Sequence, residues 1–324
     1  MVKGLNEHKI IEIIIEIIGQ PKAHFSKIGD DVAYLPSKNK KVVIKSDMLV
    51  EKTDIPKNMN LFQAARKSIV MCISDFAAKG VIPTAALTSL GIPKGTSENE
   101  IRELALGFKK AKEEFQIEIL GGDTNEADCF IIDCFMIGFA DNIIERRGAK
   151  PGDVVVTSGY FGYSSSGLKI LIDNLKAEPI FMKKATTSVL MPNPKLKLGV
   201  ALASKKVMSA SIDSSDGLAL SLYEIALNSK VGIELTKLPK SDELNLFSDM
   251  NNLNVNDLVL YGGEEYDIVA TIPKHKLEEA YKIAKKVGEN LIVIGNVIDD
   301  YPKVYLSYGT DKNIIERKGW IHLR

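Results

Sequence analysis

The sequence predicts an α/β protein built in two parts, and three observations carry that reading. Short β-branched runs alternate with stretches of helical apolar period along the whole chain. One charged, turn-rich segment, ERRGAKPGD at 145–153, interrupts the alternation, which restarts at VVVTSG. The length, 324 residues, is long for one domain and comfortable for two. The boundary therefore falls in that segment, dividing the chain into 1–147 and 148–324.

The elements follow in order. Asn6 caps and Gly19 ends an amphipathic helix with His8, Glu12 and Glu16 four apart on one face. KVVIKSD (41–47) reads as a strand. Residues 61–79 read as a helix, with Phe62, Ala65, Ile69, Cys72 and Phe76 inward and Gly80 as its stop. AALTSLGI is a strand, and Ser97 with Glu100 forms a capping box for a helix that turns Ile101, Leu104, Ala105 and Phe108 inward. IEILGGD and CFIIDCFMIGFA are strands. The second part carries helices near 164–175, 195–206, 217–228 and 275–287, and strands near 208–213, 231–235, 267–272, 291–298 and 302–307. No short-period repeat or low-complexity tract occurs.

Composition narrows the partners. Lys plus Arg equals Asp plus Glu at 42 each, which argues against nucleic acid or an anionic membrane as partner. Cys72, Cys129 and Cys134 form no C-x-x-C pattern, which points to a reducing cytoplasm and to buried thiols acting as small apolar residues. The isoleucine-rich start is cut by Glu12 and Glu16, too polar for a signal segment and too short for a span.

Aspartates recur beside Gly or Ser where apolar segments end: Asp30 and Asp31 in KIGDD, Asp47 in VIKSD, Asp75 in CISD, Asp123 in LGGD, and Asp213 and Asp216 in SIDSSD. Small neighbours let another group approach closely. Asp216 alone reads equally as a cap for the helix that buries Leu218, Leu222, Ile225 and Ala226, and Asp31 as a turn residue. Asp75 stands late in an apolar helix, at the unfavourable end of its dipole, and wants a cation. The histidines are scattered and the cysteines unclustered, which argues against zinc. Carboxylates with hydroxyls suit a hard ion, and Mg²⁺ is the usual one where phosphates share its shell. No Walker lysine motif and no kinase H-R-D or D-F-G set occurs. TSGYFGYSSSGLKIL (157–171) reads either as an anion-binding helix start or as a Ser-capped helix after a turn.

GDDVA, KSDMLVE, ISDFAAKG, LGGDT, RGAKPGDVVVTSG, GYSSSGLKIL, IDSSDGL, GGEEYDI and, near the end, GNV and GW occur in this order. Jointly they make the chain resemble the thiamine-monophosphate kinases, of the superfamily that includes aminoimidazole ribonucleotide synthetase, selenophosphate synthetase and a hydrogenase maturation protein. The resemblance implies a two-domain α/β fold of the α+β type. Residues 1–147 would form an ATP- and Mg²⁺-binding domain whose sheet pairs with that of a second subunit into a barrel, and 148–324 an α/β domain completing the active-site cleft. It implies a homodimer taking ATP and thiamine monophosphate. Metal ligands carry over to Asp30, Asp47, Asp75, Asp123, Asp213 and Asp216 with Ser46 nearby, and ATP contacts to Gly122, Asp123, Arg146 and Ser215. Asp123, Asp213, Asp216 and Arg146 become the catalytic set, and Glu264 and Trp320 substrate contacts. Where family members often have a histidine and an aromatic after D-x-L-V-E, this chain has Asp54 and Ile55. A carboxylate there suits the cationic thiazolium rather than a phosphate.

Selenophosphate synthetases carry a reactive cysteine near the N-terminus and the maturation protein a cysteine tail, whereas here no cysteine precedes Cys72 and the sequence ends WIHLR. A non-catalytic nucleotide- or thiamine-binding dimer is the alternative of another class, and retention of all the aspartates argues against it.

Overall fold

The computed structural model describes residues 7–22, 26, 28–35, 37, 40–309 and 311–321. Asn6, expected as the first helix cap, lies outside the described residues, as does the side chain of His8.

The N-terminal part runs α1 (Glu7–Ile18), β1 (Ala33–Leu35), β2 (Lys41–Val50), α2 (Glu51–Asp54), α3 (Leu61–Lys79), β3 (Ile82–Ile92), α4 (Glu98–Phe115), β4 (Glu118–Gly121), β5 (Thr124–Glu126) and β6 (Ile131–Ala140). Its sheet has the order β1-β2-β6-β3-β4, with β5 also beside β3. β2, β6 and β3 are antiparallel, while β4 and β5 pair parallel with β3.

α3 packs on one face of this sheet. It begins at an Asn60–Gln63 capping box and ends where Gly80 turns left-handed. Of its predicted inner residues, Ala65, Ile69, Cys72 and Phe76 are fully buried and Phe62 is half-buried. The Ser97–Glu100 box opens α4 as read from the sequence, but Ala105 is exposed, and Leu104, Gly107, Phe108 and Ala111 form the buried face instead.

The C-terminal part runs β7 (Val154–Thr157), α5 (Tyr163–Asp173), α6 (Pro179–Leu190), α7 (Leu196–Ser204), β8 (Ala210–Asp213), α8 (Leu218–Ser229), β9 (Gly232–Leu235), α9 (Asp242–Met250), α10 (Val255–Tyr261), β10 (Ile268–Ile272), a 3₁₀ turn (Lys274–Lys276), α11 (Leu277–Lys286), β11 (Ile292–Ile298), β12 (Val304–Tyr308) and β13 (Asp311–Ile314). The sheet order is β13-β12-β9-β11-β7-β10-β8. Only β9 and β12 pair in parallel. Helices α6, α9 and α10 lie outside the elements read from the apolar spacing.

The two parts share packed residues. Ala77 of α3 and Ile144 belong to one apolar cluster with Leu198, Leu202 and Ile268. Gly199 permits this crossing: a Cβ there would lie 1.8 Å from the Ala77 carbonyl oxygen. α3 thus reaches from the first sheet onto the second part, carrying its polar residues to the junction. No helix among the described residues is long and apolar enough to cross a membrane.

Candidate active site

α3 is buried along most of its length, and a charge survives in such a helix only when paired. Lys67, Asp75 and Lys79 on it are each no more than 5% exposed. Asp75 meets Asp213, at the end of β8, and Asp31, just before β1. Carboxylate oxygens of the three lie within 4.8 Å of one another, all buried. Ser74 Oγ donates to Asp213 Oδ2 at 2.8 Å.

Cationic side chains surround this cluster. Lys45 Nζ lies 2.8 Å from Asp75 Oδ2 and 3.3 Å from Asp47 Oδ1. Lys79 Nζ lies 2.7 Å from both Asp30 Oδ1 and Asp31 Oδ2, and donates to the Ser211 carbonyl at 2.6 Å. Arg146 donates to Asp31 Oδ1 through Nε at 2.7 Å and also through Nη2, and Nη1 reaches Glu224 Oε2 at 3.2 Å. The cation that Asp75 requires is therefore at least partly a lysine.

The environment separates the three acids. Burial alone would raise Asp31, but the charges of Lys79 and Arg146 outweigh it and hold it below the usual carboxylate range. Burial pushes Asp75 well up, against the opposing charge of Lys45 and with repulsion from Asp213 and Asp47 adding to it. Burial and the charge of Asp31 raise Asp213 to about 7. The cluster is hungry for positive charge. Its donors are all hard oxygens, and the buried Ser214 Oγ beside it has no hydrogen-bond partner among the described residues. That donor set fits Mg²⁺. A cleft of about 350 Å³ lined by Ile28, Asp30, Asp31, Ile44, Lys45, Ser46 and Phe135 reaches the cluster at Asp31.

The remaining residues singled out from the sequence spread around this centre. Ser46 follows Lys45 on β2 and so points to the opposite face, where its hydroxyl donates to Asp133 Oδ1 at 2.9 Å. Asp123 is exposed between β4 and β5 and lies outside the buried cluster. Gly122 packs against β3: a Cβ there would lie 1.7 Å from the Thr88 carbonyl oxygen. Ser215 and Asp216 are exposed beyond β8. Glu264 N donates to the Ser215 carbonyl at 2.6 Å and Trp320 N to the Asp216 carbonyl at 3.0 Å, so these four residues form one wall. The Asp54 carboxylate accepts from Val50 N at 2.7 Å, which turns it toward the end of β2.

The start of α5 is occupied from within. Glu265 Oε1 accepts from Gly162 N at 2.6 Å and Ser164 N at 3.1 Å, in the place an anionic ligand would take. Sequence reading did not assign Asp31, Lys45, Lys67, Lys79 or Glu265 to the site. For Lys67 and Lys79 a signal existed, since both stand in an apolar helical run where an unpaired lysine is costly. Asp31 and Asp30 differ only in which way an irregular turn points them.

The chain is similar to known proteins over nearly its whole length. Residues 29–140 match the family described as AIR synthase related protein, N-terminal domain, and residues 150–307 match its C-terminal domain. The chain is 39% identical over 322 residues to a protein of Nitrosopumilus maritimus named thiamine-monophosphate kinase, covering 99% of each. It is 33% identical over 328 residues to one of the same name from Pyrococcus abyssi, covering 100% of this chain and 97% of that one. A solved structure, AaThiL complexed with AMPPCP and TMP, superposes with a TM-score of 0.86 at 29% identity, covering 98% of this chain and 97% of the other.

Proposed function

The chain belongs to the thiamine-monophosphate kinases of the AIR synthase-related family, and on that premise we propose how its residues phosphorylate thiamine monophosphate with ATP. The observation that carries the reading is the convergence of Asp31, Asp75 and Asp213 in one buried, cation-seeking cluster beside an open cleft. AMPPCP, an ATP analogue, and TMP in the similar structure support the same pair of substrates.

The nucleophile is an oxygen of the monophosphate. A phosphate monoester has a second pKa near ~6 and is largely ionised at neutral pH, so no general base is needed. The work left to the protein is to align two polyanions and tolerate their charge. Asp75 and Asp213, with Asp30, Asp31 and Asp47 at the rim, would hold Mg²⁺, and Asp123 and Asp216 would meet it from the exposed side. The chemistry such an ion would supply there is positive charge to offset that of the phosphates. Ser46, turned to the other face of β2, adds to this set only if β2 shifts.

Arg146 would offer its fork to ATP after exchanging a contact with Asp31. Gly122 and Ser215 bound the nucleotide through backbone. Glu264 and Trp320 form the wall for thiamine, and Asp54 adds negative potential near the thiazolium. Transfer is direct, with no phosphoenzyme.

Residues 1–147 and 148–324 are the two domains, with separate sheets joined through 141–153. The first sheet also pairs with a second copy. Met48, Ile82, Leu87 and Phe139 share the sheet face opposite α3 and are 56%, 54%, 42% and 37% exposed, an apolar surface that a partner sheet would cover.

Incubation with ATP, Mg²⁺ and thiamine monophosphate should yield ADP and thiamine diphosphate in equal amounts on chromatography. Turnover of free thiamine in preference to the monophosphate would overturn the reading.

A further inference from the structure

Lys67 stands in the middle of α3 with no exposed surface. Its ammonium lies 2.5 Å from Glu264 Oε1 and donates to the Asp54 carbonyl at 2.8 Å. A charge removed wholly from water is retained only by such pairing. The partners come from opposite parts of the chain. Asp54 ends α2, directly after β2, whereas Glu264 lies in the segment 262–267 between α10 and β10.

That segment is under constraint. Glu264 and Tyr266 adopt φ of 62° and 55°, the left-handed region that residues with side chains rarely occupy. Such a conformation persists where the surroundings over-determine it. Backbone bonds supply part of the constraint, from Glu264 N to Ser215 O at 2.6 Å and from Tyr266 N to Ser214 O at 2.9 Å. Lys67 adds to it by holding the Glu264 side chain. Trp320 lies against the same segment, since a Cβ on Gly263 would be 3.6 Å from the Trp320 Cβ.

We infer that Lys67 is a positioning residue for the thiamine side of the cleft. It ties the Glu264 carboxylate and the α2 turn to α3, and so sets the separation of the two walls that receive the substrate. Being fully buried, the ammonium touches no substrate and acts through Glu264 and the turn carrying Asp54. The pairing also neutralises Glu264, which then contributes a fixed hydrogen-bond acceptor rather than a net charge. The inference rests on the reading of Glu264 as a substrate residue.

The test is a double-mutant cycle of Lys67→Met and Glu264→Gln, with KM for each substrate, kcat and melting temperature measured on every variant. Each single variant should raise KM for thiamine monophosphate roughly 5- to 10-fold while KM for ATP stays within about 2-fold. The double variant should be no worse than the more affected single one, because both changes break the same link. Effects that multiply in the double variant overturn the inference, as does a Lys67→Met variant that loses stability with both KM values unmoved. Glu264→Gln with normal KM, beside a Lys67→Met variant with raised KM, sinks the Glu264 reading and with it this route. The reverse pattern sinks the role of Lys67 alone. Should Lys67→Met not fold, Lys67→Gln keeps a donor toward the Asp54 carbonyl, removes the charge, and is judged by the same outcomes.

Discussion

Ser74 Oγ donates to Asp213 Oδ2 at 2.8 Å, joining the C-terminal portion of α3 to the end of β8 across 139 residues of sequence. The bond is made by a neutral donor inside a cluster where two acids, Asp75 and Asp213, are raised by burial. Carboxyls raised in this way hold their protons more tightly than ordinary ones, so a divalent cation entering the cluster would have to displace them.

Asp213→Asn should lower turnover on the order of 10²-fold or more, because it removes a carboxylate that would hold Mg²⁺ against the phosphates. It should not lower the stability of the metal-free protein. The sign follows from the folded-state value of about 7 against an ordinary 3.8. Stability from this group is complete below the unfolded value and is lost as pH rises through about 7. In EDTA, wild type should therefore melt lower at pH 8 than at pH 5 by more than the variant does. Equal pH responses would remove Asp213 as a source of the slope.

Asp123 makes the contrast, since it is exposed and stands outside the buried cluster. Asp123→Asn should change metal-free stability by no more than about 0.5 kcal/mol. If its carboxylate meets Mg²⁺ from the open side, the variant should gain less thermal stability than wild type from Mg²⁺ with a non-hydrolysable ATP analogue. An unaltered gain in melting temperature would exclude it from the metal shell.

Trp320 is 51% exposed, so a core role does not account for it. Trp320→Ala should cost about 0.5–1.5 kcal/mol of substrate binding, a several-fold rise in KM for thiamine monophosphate. Initial-rate kinetics should find KM for ATP nearly unmoved. A parallel rise for both substrates would count against stacking on thiamine.

Glu265 tests the inner occupant of the α5 start. Burial, with the charge of Asp267 adding to it, raises its carboxyl to about 8 from an ordinary 4.5. Its stabilising contribution is therefore lost as pH climbs through about 8. Glu265→Gln keeps the acceptor for Gly162 N and Ser164 N, so its stability advantage over wild type should grow from pH 5 to pH 9 in denaturant melts. Glu265→Ala strands two buried donors and should cost about 1–3 kcal/mol for each at any pH. A Gln variant that tracks wild type across that range would show the carboxyl does not titrate there.

Local pattern was enough for much of the fold. The apolar period with Asn60, Gln63 and Gly80 around it bounds α3, and Ser97 with Glu100 starts α4. Alternation along the chain implied α/β, yet most strand pairs are antiparallel, and only tertiary contact sets β8 at the edge beside β10. Periodicity reports which face of an element is buried and says nothing of which neighbour covers it.

The same division holds at the site. Asp75 and Asp213 stand out in the sequence because a carboxylate ending a buried segment demands compensation. The sequence by itself determined that such compensation must exist, and the residue types narrowed it to hard oxygen chemistry. Only the tertiary structure decided that Lys45, Lys79 and Arg146 share the task, that Asp31 joins the cluster, and that Lys67 faces Glu264. Electrostatic pairing depends on a few ångströms of separation in space, and residues 197 positions apart acquire that separation only when α3 is packed between the two parts of the chain.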